Sequence, residues 1–305
     1  MSSSKQLKLA MLSVVFAGFL FSTSAATRSL LDFPGTPISV GSWRVFLGGL
    51  TLLIYARFRY GSAGIKQLAR LPVIWIIGSS TLLYQIAFFF GASRIGVALG
   101  TLGSLALAPF LSGLLGWAIG TGKPSRAWAK STVLAIIGLG LLTGFSGSVD
   151  PIGLLAVFMA GNMYAVMTVY GVQIVKRIGV SGAEVLAVSF GIGSLLSIPI
   201  VATTSSWITK PTDVFLVVYL GLATTGLAYI FFGNGITLLS PGTVSTMTLA
   251  EPVLATIWGV FLLSEPMGLR GWLGAGIILL ALLYLGIAES RNQNRSKTEE
   301  VATNA

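Results

Sequence analysis

The chain has 305 residues, of which 54% are apolar and only 9% are charged. A soluble domain carries about 25% charged residues, so the composition excludes that class and indicates a membrane protein. Its apolar segments are long and continuous, which favours transmembrane helices over alternating strands. There is no Cys and no His, which excludes disulfides and thiolate chemistry and removes the commonest metal ligand. We therefore expect no metal and no cofactor.

Ten apolar segments are long enough to cross a hydrocarbon core about 30 Å thick. They lie at about residues 9–29, 37–56, 71–91, 97–120, 128–146, 151–174, 184–203, 213–233, 242–263 and 270–288. We predict an all-α polytopic membrane protein with ten transmembrane helices joined by short connections. The polar stretch 289–305 is predicted to be a disordered cytoplasmic tail.

The first span also fits a secretory signal peptide. Lys5 and Lys8 precede its apolar run, and small residues follow at Ser22–Ala26. Cleavage there would leave nine spans. Ten spans agree with the distribution of charge and with the internal repeat described below, so we predict that the first span is a retained helix.

Lys and Arg are distributed unevenly between the two sides of the predicted spans. With the N-terminus inside, fourteen lie at inner ends and loops, and four lie outside, namely Arg28, Arg94, Lys210 and Arg270. This bias follows the positive-inside rule. The net charge of +10 is therefore a topology signal, which indicates anionic lipid as a partner and no nucleic acid. We expect a multi-pass protein of the bacterial inner membrane, with both termini cytoplasmic.

An internal repeat relates the two halves of the chain. An offset of 143 residues takes Phe88, Phe89, Pro109, Leu111 and Gly116 to Phe231, Phe232, Pro252, Leu254 and Gly259. The first half, 1–148, holds five spans, and the second half, 149–288, holds the other five. Because five is odd, the halves would cross the membrane in opposite directions. An inverted repeat of this kind is the architecture of many secondary transporters.

The fourth span carries a stripe of small residues at four-residue spacing. Its members are Gly100, Ser104, Ala108, Ser112, Gly116 and Gly120. Such a stripe lies nearly along one helix face and lets another backbone approach closely. We interpret it mainly as a packing surface, with a substrate-facing groove as the alternative.

Polar and aromatic residues gather in the middle of four other spans. They are Ser22, Thr23, Ser24 and Thr27 in the first span, Thr81, Tyr84, Gln85 and Phe88 in the third, Asn162, Met163, Tyr164 and Thr168 in the sixth, and Thr224, Thr225 and Tyr229 in the eighth. Buried hydroxyl and amide groups need partners inside the hydrocarbon core. Hydrogen bonding between helices would supply them, but convergence of four helices favours a shared water-accessible cavity.

Two charged residues are predicted at membrane depth, Arg44 in the second span and Glu251 in the ninth. Glu251 precedes Pro252, which frees a backbone carbonyl one turn earlier. Helix geometry places the two charges about 8 Å apart along the membrane normal. Three readings stay open for Glu251, which are an ion pair with Arg44, a proton carrier, and a carboxyl group that caps the freed carbonyl. Arg44 also has the option of extending towards the outer interface.

The second half contains the string LAEPVLATIWGVFLLSEP, which ends the ninth span. Together with two five-helix halves that each hold a mid-membrane Pro, it resembles the EamA-type transporters of the drug/metabolite transporter superfamily. Ser22-Thr23 and Tyr84 more narrowly resemble positions in YddG-like amino-acid exporters. The resemblance implies a central cavity surrounded by spans one to four and six to nine, with spans five and ten bracing the outside.

These observations predict an alternating-access exporter of amino acids, broad in specificity and including aromatic or other neutral ones. The candidate lining is Ser22, Thr23, Tyr84, Gln85, Phe88, Met163, Tyr164, Thr225, Tyr229 and Glu251, and Pro109 and Pro252 are candidate hinges. We expect a monomer or a weak oligomer.

Several alternatives stay open. Within the same superfamily the chain would export drugs or other small metabolites, or carry nucleotide sugars or organic anions. A phosphate carrier should show several cations in its cavity, and only Arg44 is available. An intramembrane enzyme would need a His or paired carboxylates at depth, so we expect no enzymatic activity. A structural or receptor protein would not need an inverted repeat.

Overall fold

The computed structural model describes residues 3–31, 34–120, 126–143, 149–236 and 250–303, and every regular element in those ranges is a helix. The elements of the first half are α1 (Ser3–Leu30), α2 (Pro37–Arg59), α3 (Gly61–Ala69), α4 (Pro72–Ile95), α5 (Val97–Ala118) and α6 (Arg126–Thr143). Those of the second half are α7 (Pro151–Ile178), α8 (Gly182–Thr204), α9 (Pro211–Val218), the π-helix π1 (Tyr219–Leu227), α10 (Ala228–Ile236), α11 (Ala250–Ile257), the π-helix π2 (Trp258–Leu262) and α12 (Leu269–Thr303).

Eight helices of the described chain are long and apolar enough to span a membrane. They coincide with eight of the ten predicted spans, and α9, π1 and α10 follow one another as the eighth predicted span. The fifth predicted span corresponds to α6, with 18 residues. The ninth corresponds to the shorter apolar helix Ala250–Leu262, while its first part, including Thr243, lies outside the described residues. The protein is therefore an all-helical multi-pass membrane protein.

The described polar tail differs from its predicted disorder, because α12 continues through the membrane end to Thr303. Residues 289–303 contain neither Gly nor Pro and are rich in Glu, Arg, Lys and Gln, which are good helix formers. Extending a helix that already exists avoids the cost of nucleation. The local sequence therefore favours continuing the helix even where no apolar surface is available to bury.

Two helix crossings bring backbones into direct contact. A Cβ atom added to Gly49 of α2 would lie 2.1 Å from the carbonyl oxygen of Phe190 in α8. Likewise, a Cβ atom on Gly274 of α12 would lie 2.5 Å from the carbonyl oxygen of Gly138 in α6. Lipid tails offer no hydrophobic force between helices, so such close approach at small residues is a principal source of association.

The helix pairs occur in reciprocal sets. In the predicted repeat α1 is equivalent to α7, α4 to α10 and α5 to α11. The contact of α4 with α7 has its counterpart in the contact of α10 with α1, and the contact of α5 with α7 has its counterpart in that of α11 with α1. The pairs α2–α8, α6–α12 and α5–α11 each join two spans that the predicted repeat treats as equivalent. As a result, α1, α2, α4, α5, α7 and α10 are assembled around a common centre.

Candidate substrate cavity

A cavity of about 460 Å³ lies at the centre of the helices. Its described lining is Phe21, Ser24, Arg44, Tyr84, Gln85, Phe88, Leu105, Ala108, Ser112, Tyr164, Thr168, Tyr229, Phe232, Glu251, Pro252, Leu282, Leu285 and Gly286. Six of the ten candidate lining residues from the sequence are therefore brought together here, and Arg44 and Pro252 join them. The volume is in the range of pockets that enclose small-molecule ligands.

Arg44 reaches the cavity because α2 lies close to two neighbouring helices. A Cβ atom on Gly41 would lie 3.1 Å from the Gln85 carbonyl oxygen in α4. A Cβ atom on Gly48 would lie 2.4 Å from Thr225 Cγ2 in π1. Gly41 and Gly48 are three residues before and four residues after Arg44, so all three lie on one helix face. That face presents the guanidinium between α4 and π1.

The buried guanidinium of Arg44 binds only neutral groups among the described residues. Nε donates to Thr225 Oγ1 at 2.8 Å, Nη1 to Gln85 Oε1 at 3.0 Å, and Nη2 to the Thr224 carbonyl oxygen at 3.0 Å. Its Cζ atom lies 5.6 Å from the centre of the Phe89 ring. Arg44 thus points inward, and the alternative in which it extends to the outer interface does not apply to this structure.

Two of these acceptors come from π1, where a wider helical turn changes how backbone groups are paired. The hydroxyls of Thr224 and Thr225 both donate to the Leu220 carbonyl oxygen, at 2.8 and 3.0 Å. Thr225 therefore uses its hydrogen on its own helix and offers a lone pair to Arg44. Short π-helical stretches occur frequently at functional sites.

Glu251 lies in the first turn of α11 and lines the same cavity. Helix α1 packs beside this turn, since a Cβ atom on Gly18 would lie 3.4 Å from the Glu251 backbone nitrogen, an ordinary van der Waals contact. Within the described part of the chain, the only pair of oppositely charged side chains within 4.0 Å is Arg94–Asp150. Arg44 and Glu251 therefore share the cavity without a direct ion pair. The carbonyl that Pro252 would free belongs to Thr248, which lies outside the described residues.

Aromatic rings form much of the remaining wall. Tyr84 and Tyr164 meet edge to face with ring centres 5.7 Å apart, and Tyr84 stacks beside Phe88 at 6.0 Å. On the other side, Tyr229 packs against Phe21 at 4.8 Å and against Phe190 at 4.5 Å. These contacts hold the rings at the cavity surface, where they offer apolar faces and phenolic hydroxyls to a ligand.

Four candidate residues do not line the cavity. Ser22 accepts a hydrogen bond from Trp258 Nε1 at 3.0 Å, and the Thr23 hydroxyl lies 2.8 Å from the Tyr219 hydroxyl. Thr225 accepts a hydrogen bond from Arg44 Nε, and Met163 is half-buried on α7. Consecutive residues of a helix point about 100° apart, so Ser22 and Thr23 turn towards neighbouring helices while Ser24 faces the cavity. The side-chain surroundings of the other candidate hinge, Pro109, lie outside the described residues.

Sequence reasoning missed several lining residues. Phe21 was not considered, and Ser24 and Thr168 were noted only as members of the mid-span polar clusters. Phe21 and Ser24 are three residues apart, and Thr168 follows the candidate Tyr164 by four, a spacing that was available as a signal. In the small stripe, Gly100 packs on Ala92, whereas Ala108 and Ser112 line the cavity. The stripe is therefore a packing surface in its first part and a cavity wall further on.

The tenth span departs from its expected bracing position. Leu282, Leu285 and Gly286 of α12 line the cavity, although the resemblance placed this span outside it. The reason is the size of the neighbouring side chains. Because Ala108 and Ser112 are small, they do not screen the cavity from α12, which contacts α5.

Beyond Phe88, packed side chains fill the space between the helices. Phe88 and Phe89 belong to a buried cluster with Ala25, Val40, Ala87, Val97, Ala160, Leu216 and Leu220, against which Trp207, Tyr219 and Leu263 pack. We call this set the end cluster. Polar contacts surround it. Trp207 Nε1 donates to Ser39 Oγ at 2.7 Å, and the Glu265 carboxylate accepts from the backbone nitrogens of Val97 and Ala98 at the start of α5.

An ion pair joins α4 to α7 at the same end. Arg94 Nη1 lies 2.5 Å from Asp150 Oδ2, and Asp150 Oδ1 also accepts from the Ile152 backbone nitrogen at 2.9 Å. The hydrogen bond from the Arg94 guanidinium, followed by that from Ile152, lowers the pKa of Asp150 below its ordinary value. The ion pair thereby joins the last turn of α4 to the residue that precedes α7.

Comparison with known proteins decides the family. The chain is 31% identical over 292 residues to the uncharacterized transporter YwfM of Bacillus subtilis (strain 168). The aligned region covers 95% of this chain and 96% of that protein. Residues 151–287 match the model of the EamA-like transporter family. The chain belongs to the EamA-like transporter family.

Two further comparisons agree with this assignment. An uncharacterized transporter of Clostridium kluyveri is 27% identical over 167 residues, which is 53% of this chain and 51% of that protein. A solved crystal structure superposes with a TM-score of 0.62 at 21% identity, covering 93% of this chain and 98% of that one. The latter likeness shows the fold alone. Membership of the EamA-like family places the protein in the drug/metabolite transporter superfamily and indicates transport of a small molecule across a membrane rather than catalysis.

Proposed function

We propose that this EamA-like transporter exports amino acids or similar small zwitterionic metabolites. The observation that carries the proposal is the pair of opposite charges in one cavity. Arg44 and Glu251 both line it, and neither neutralises the other by direct contact among the described residues. Buried charges at membrane depth are costly and mark substrate or ion pathways. A zwitterion supplies a partner for each charge in a single molecule.

The aromatic wall accounts for the substrate's side chain. Tyr84, Phe88, Tyr164 and Tyr229 offer broad apolar faces between the two charges. Few fixed polar groups surround them, so we expect broad specificity that includes aromatic and other neutral amino acids. We propose that the protein works as a monomer or a weak oligomer.

We propose that the two halves, 1–148 and 149–288, form an inverted repeat that moves by alternating access. The reciprocal helix pairs support this, because exchanging the halves maps α4–α7 onto α10–α1 and α5–α7 onto α11–α1. The cavity lies between helices of both halves, as rocking of one half against the other requires. The structure would then correspond to the state that is closed at the end cluster.

The charge distribution supports a topology in which the end cluster lies at the outer side. Most lining residues on α5, α7 and α12, such as Ser112, Thr168 and Leu285, lie past the middle of their predicted spans, towards the ends that carry most Lys and Arg. The cavity would therefore face the cytoplasm of a bacterial inner membrane, ready to load an exported substrate.

Alkaline phosphatase fused after Ala305 is expected to be inactive in a bacterial host, because positive-inside topology keeps both termini in the cytoplasm. Green fluorescent protein at the same position should fluoresce, which controls for expression. An active phosphatase fusion would show that the number of spans is wrong by one.

Counterflow into proteoliposomes tests the substrate class. Vesicles loaded with unlabelled amino acids are expected to accumulate labelled phenylalanine and other neutral amino acids, whereas protein-free vesicles should not. The panel should include a nucleotide sugar and a cationic drug. A single cavity cation suits one carboxylate better than a diphosphate, so we expect no nucleotide-sugar uptake. Saturable uptake of drugs or nucleotide sugars alone would overturn the amino-acid proposal.

A further inference from the structure

We infer that Arg44 and Gln85 form a carboxylate subsite in the cavity, held in place by Thr224 and Thr225 of π1. The inference rests on the proposed function, because it gives the binding place of one end of the exported zwitterion. It concerns which atoms recognise the substrate, so it can fail while amino-acid export stands.

Arg44 has donors to spare. A guanidinium carries five N–H groups, and the described residues provide three acceptors for them. All three acceptors are neutral, and the side chain is only 4% exposed. A buried cation without a carboxylate is an uncompensated charge, which is strongly unfavourable unless a ligand completes it. Arg44 faces the cavity, where such a ligand would lie.

Gln85 must turn its amide nitrogen away from Arg44. A guanidinium has no acceptor, so the Gln85 atom that it meets at 3.0 Å has to be the carbonyl oxygen. The two amide hydrogens then point elsewhere, and they have no acceptor among the described residues. Gln85 is 1% exposed and lines the cavity beside Arg44. The pair therefore presents only donors to the cavity.

Two hydrogen bonds to π1 fix the position of the Arg44 guanidinium. Thr225 Oγ1 holds Nε and the Thr224 carbonyl oxygen holds Nη2, both from one rigid helical segment. The ring of Phe89 lies 5.6 Å from Cζ. A planar fork fixed on one side and open on the other matches a carboxylate, which takes two parallel hydrogen bonds. Thr225 is thus a positioning residue.

The experiment compares ligands that differ only at the carboxylate. In counterflow with the purified full chain, free phenylalanine should compete with labelled phenylalanine, whereas phenylalanine amide should compete about tenfold less well. Equal competition by the amide would overturn the subsite while leaving amino-acid transport intact. No phenylalanine transport by the wild type would instead refute the proposed function together with the subsite that rests on it.

Two variants locate the effect. Gln85→Glu places a carboxylate on Arg44 and should reduce affinity for phenylalanine by about tenfold or more, while preserving the fold through a new ion pair. Thr225→Val should raise the KM for phenylalanine and lower its preference over the amide, without loss of folded protein. Thr203→Val is the matched control, since Thr203 is exposed on α8 and donates only to its own helix. Unchanged KM and preference in both cavity variants would overturn the inference.

Discussion

The Gly49→Ala variant is expected to be markedly less stable than the wild-type protein. The new Cβ atom would lie 2.1 Å from the carbonyl oxygen of Phe190 and 2.8 Å from Ser194 Cβ. A backbone oxygen cannot rotate away as a side chain can, so α2 and α8 must separate. Overpacking typically costs about 1–3 kcal/mol, and we expect a value at the upper end of that range.

Thermal unfolding of the purified protein in detergent measures this effect. Gly276→Ala is the matched control, because it is also a glycine within a helix and an added Cβ atom meets nothing within 4 Å. We expect the control to be neutral or slightly stabilising, as alanine favours helix over glycine by about 1 kcal/mol. A melting temperature for Gly49→Ala equal to that of the control would show that α2 and α8 do not cross at this point.

The Glu251→Gln variant is expected to retain its fold and lose most of its amino-acid transport. No described cation lies within 4.0 Å of Glu251, so neutralising it leaves no partner that depended on its charge for packing. By contrast, a substrate ammonium would lose a charge-assisted hydrogen bond, worth about 1.5–3 kcal/mol. We therefore expect affinity for amino acids to fall about ten- to hundredfold.

A substrate analogue provides the control for this prediction. N-acetylphenylalanine lacks the ammonium, so its competition with labelled phenylalanine should respond much less to Glu251→Gln. Equal losses for both compounds would show that Glu251 does not bind the ammonium. Measuring transport across pH tests the separate hypothesis of a proton carrier, because a pH profile unchanged by the substitution would exclude that role. A strong loss of folded protein would point instead to a structural ion pair with Arg44.

Much of the architecture could be predicted from local sequence. Apolar length alone defines eight membrane-spanning helices, because a segment in lipid must satisfy its own backbone hydrogen bonds. The same reasoning singled out Arg44 and Glu251, since a charge within an apolar segment is costly and therefore functional or paired. Mid-span Tyr84, Gln85, Tyr164 and Tyr229 also reached the cavity as the polarity of their spans predicts.

What local sequence could not determine is which face of each helix meets which neighbour. Ser22 and Thr23 bind Trp258 and Tyr219, whereas the adjacent Ser24 reaches the cavity. Their residue types are nearly equivalent, so only the rotation of α1 against π1 and π2 separates them.

The surroundings of Arg44 also depend on tertiary structure. Sequence spacing allowed an ion pair with Glu251, yet the guanidinium instead binds Gln85 and two groups of π1. These partners follow from the close approach of α4 at Gly41 and of π1 at Gly48, which places their acceptors beside the guanidinium. Glu251, on α11, lies elsewhere on the cavity wall. Sequence thus determined which residues carry charge and polarity at membrane depth. The packing of glycine against neighbouring backbones decided their partners, because hydrogen bonds require atoms within about 3 Å and only the assembled helices set such distances.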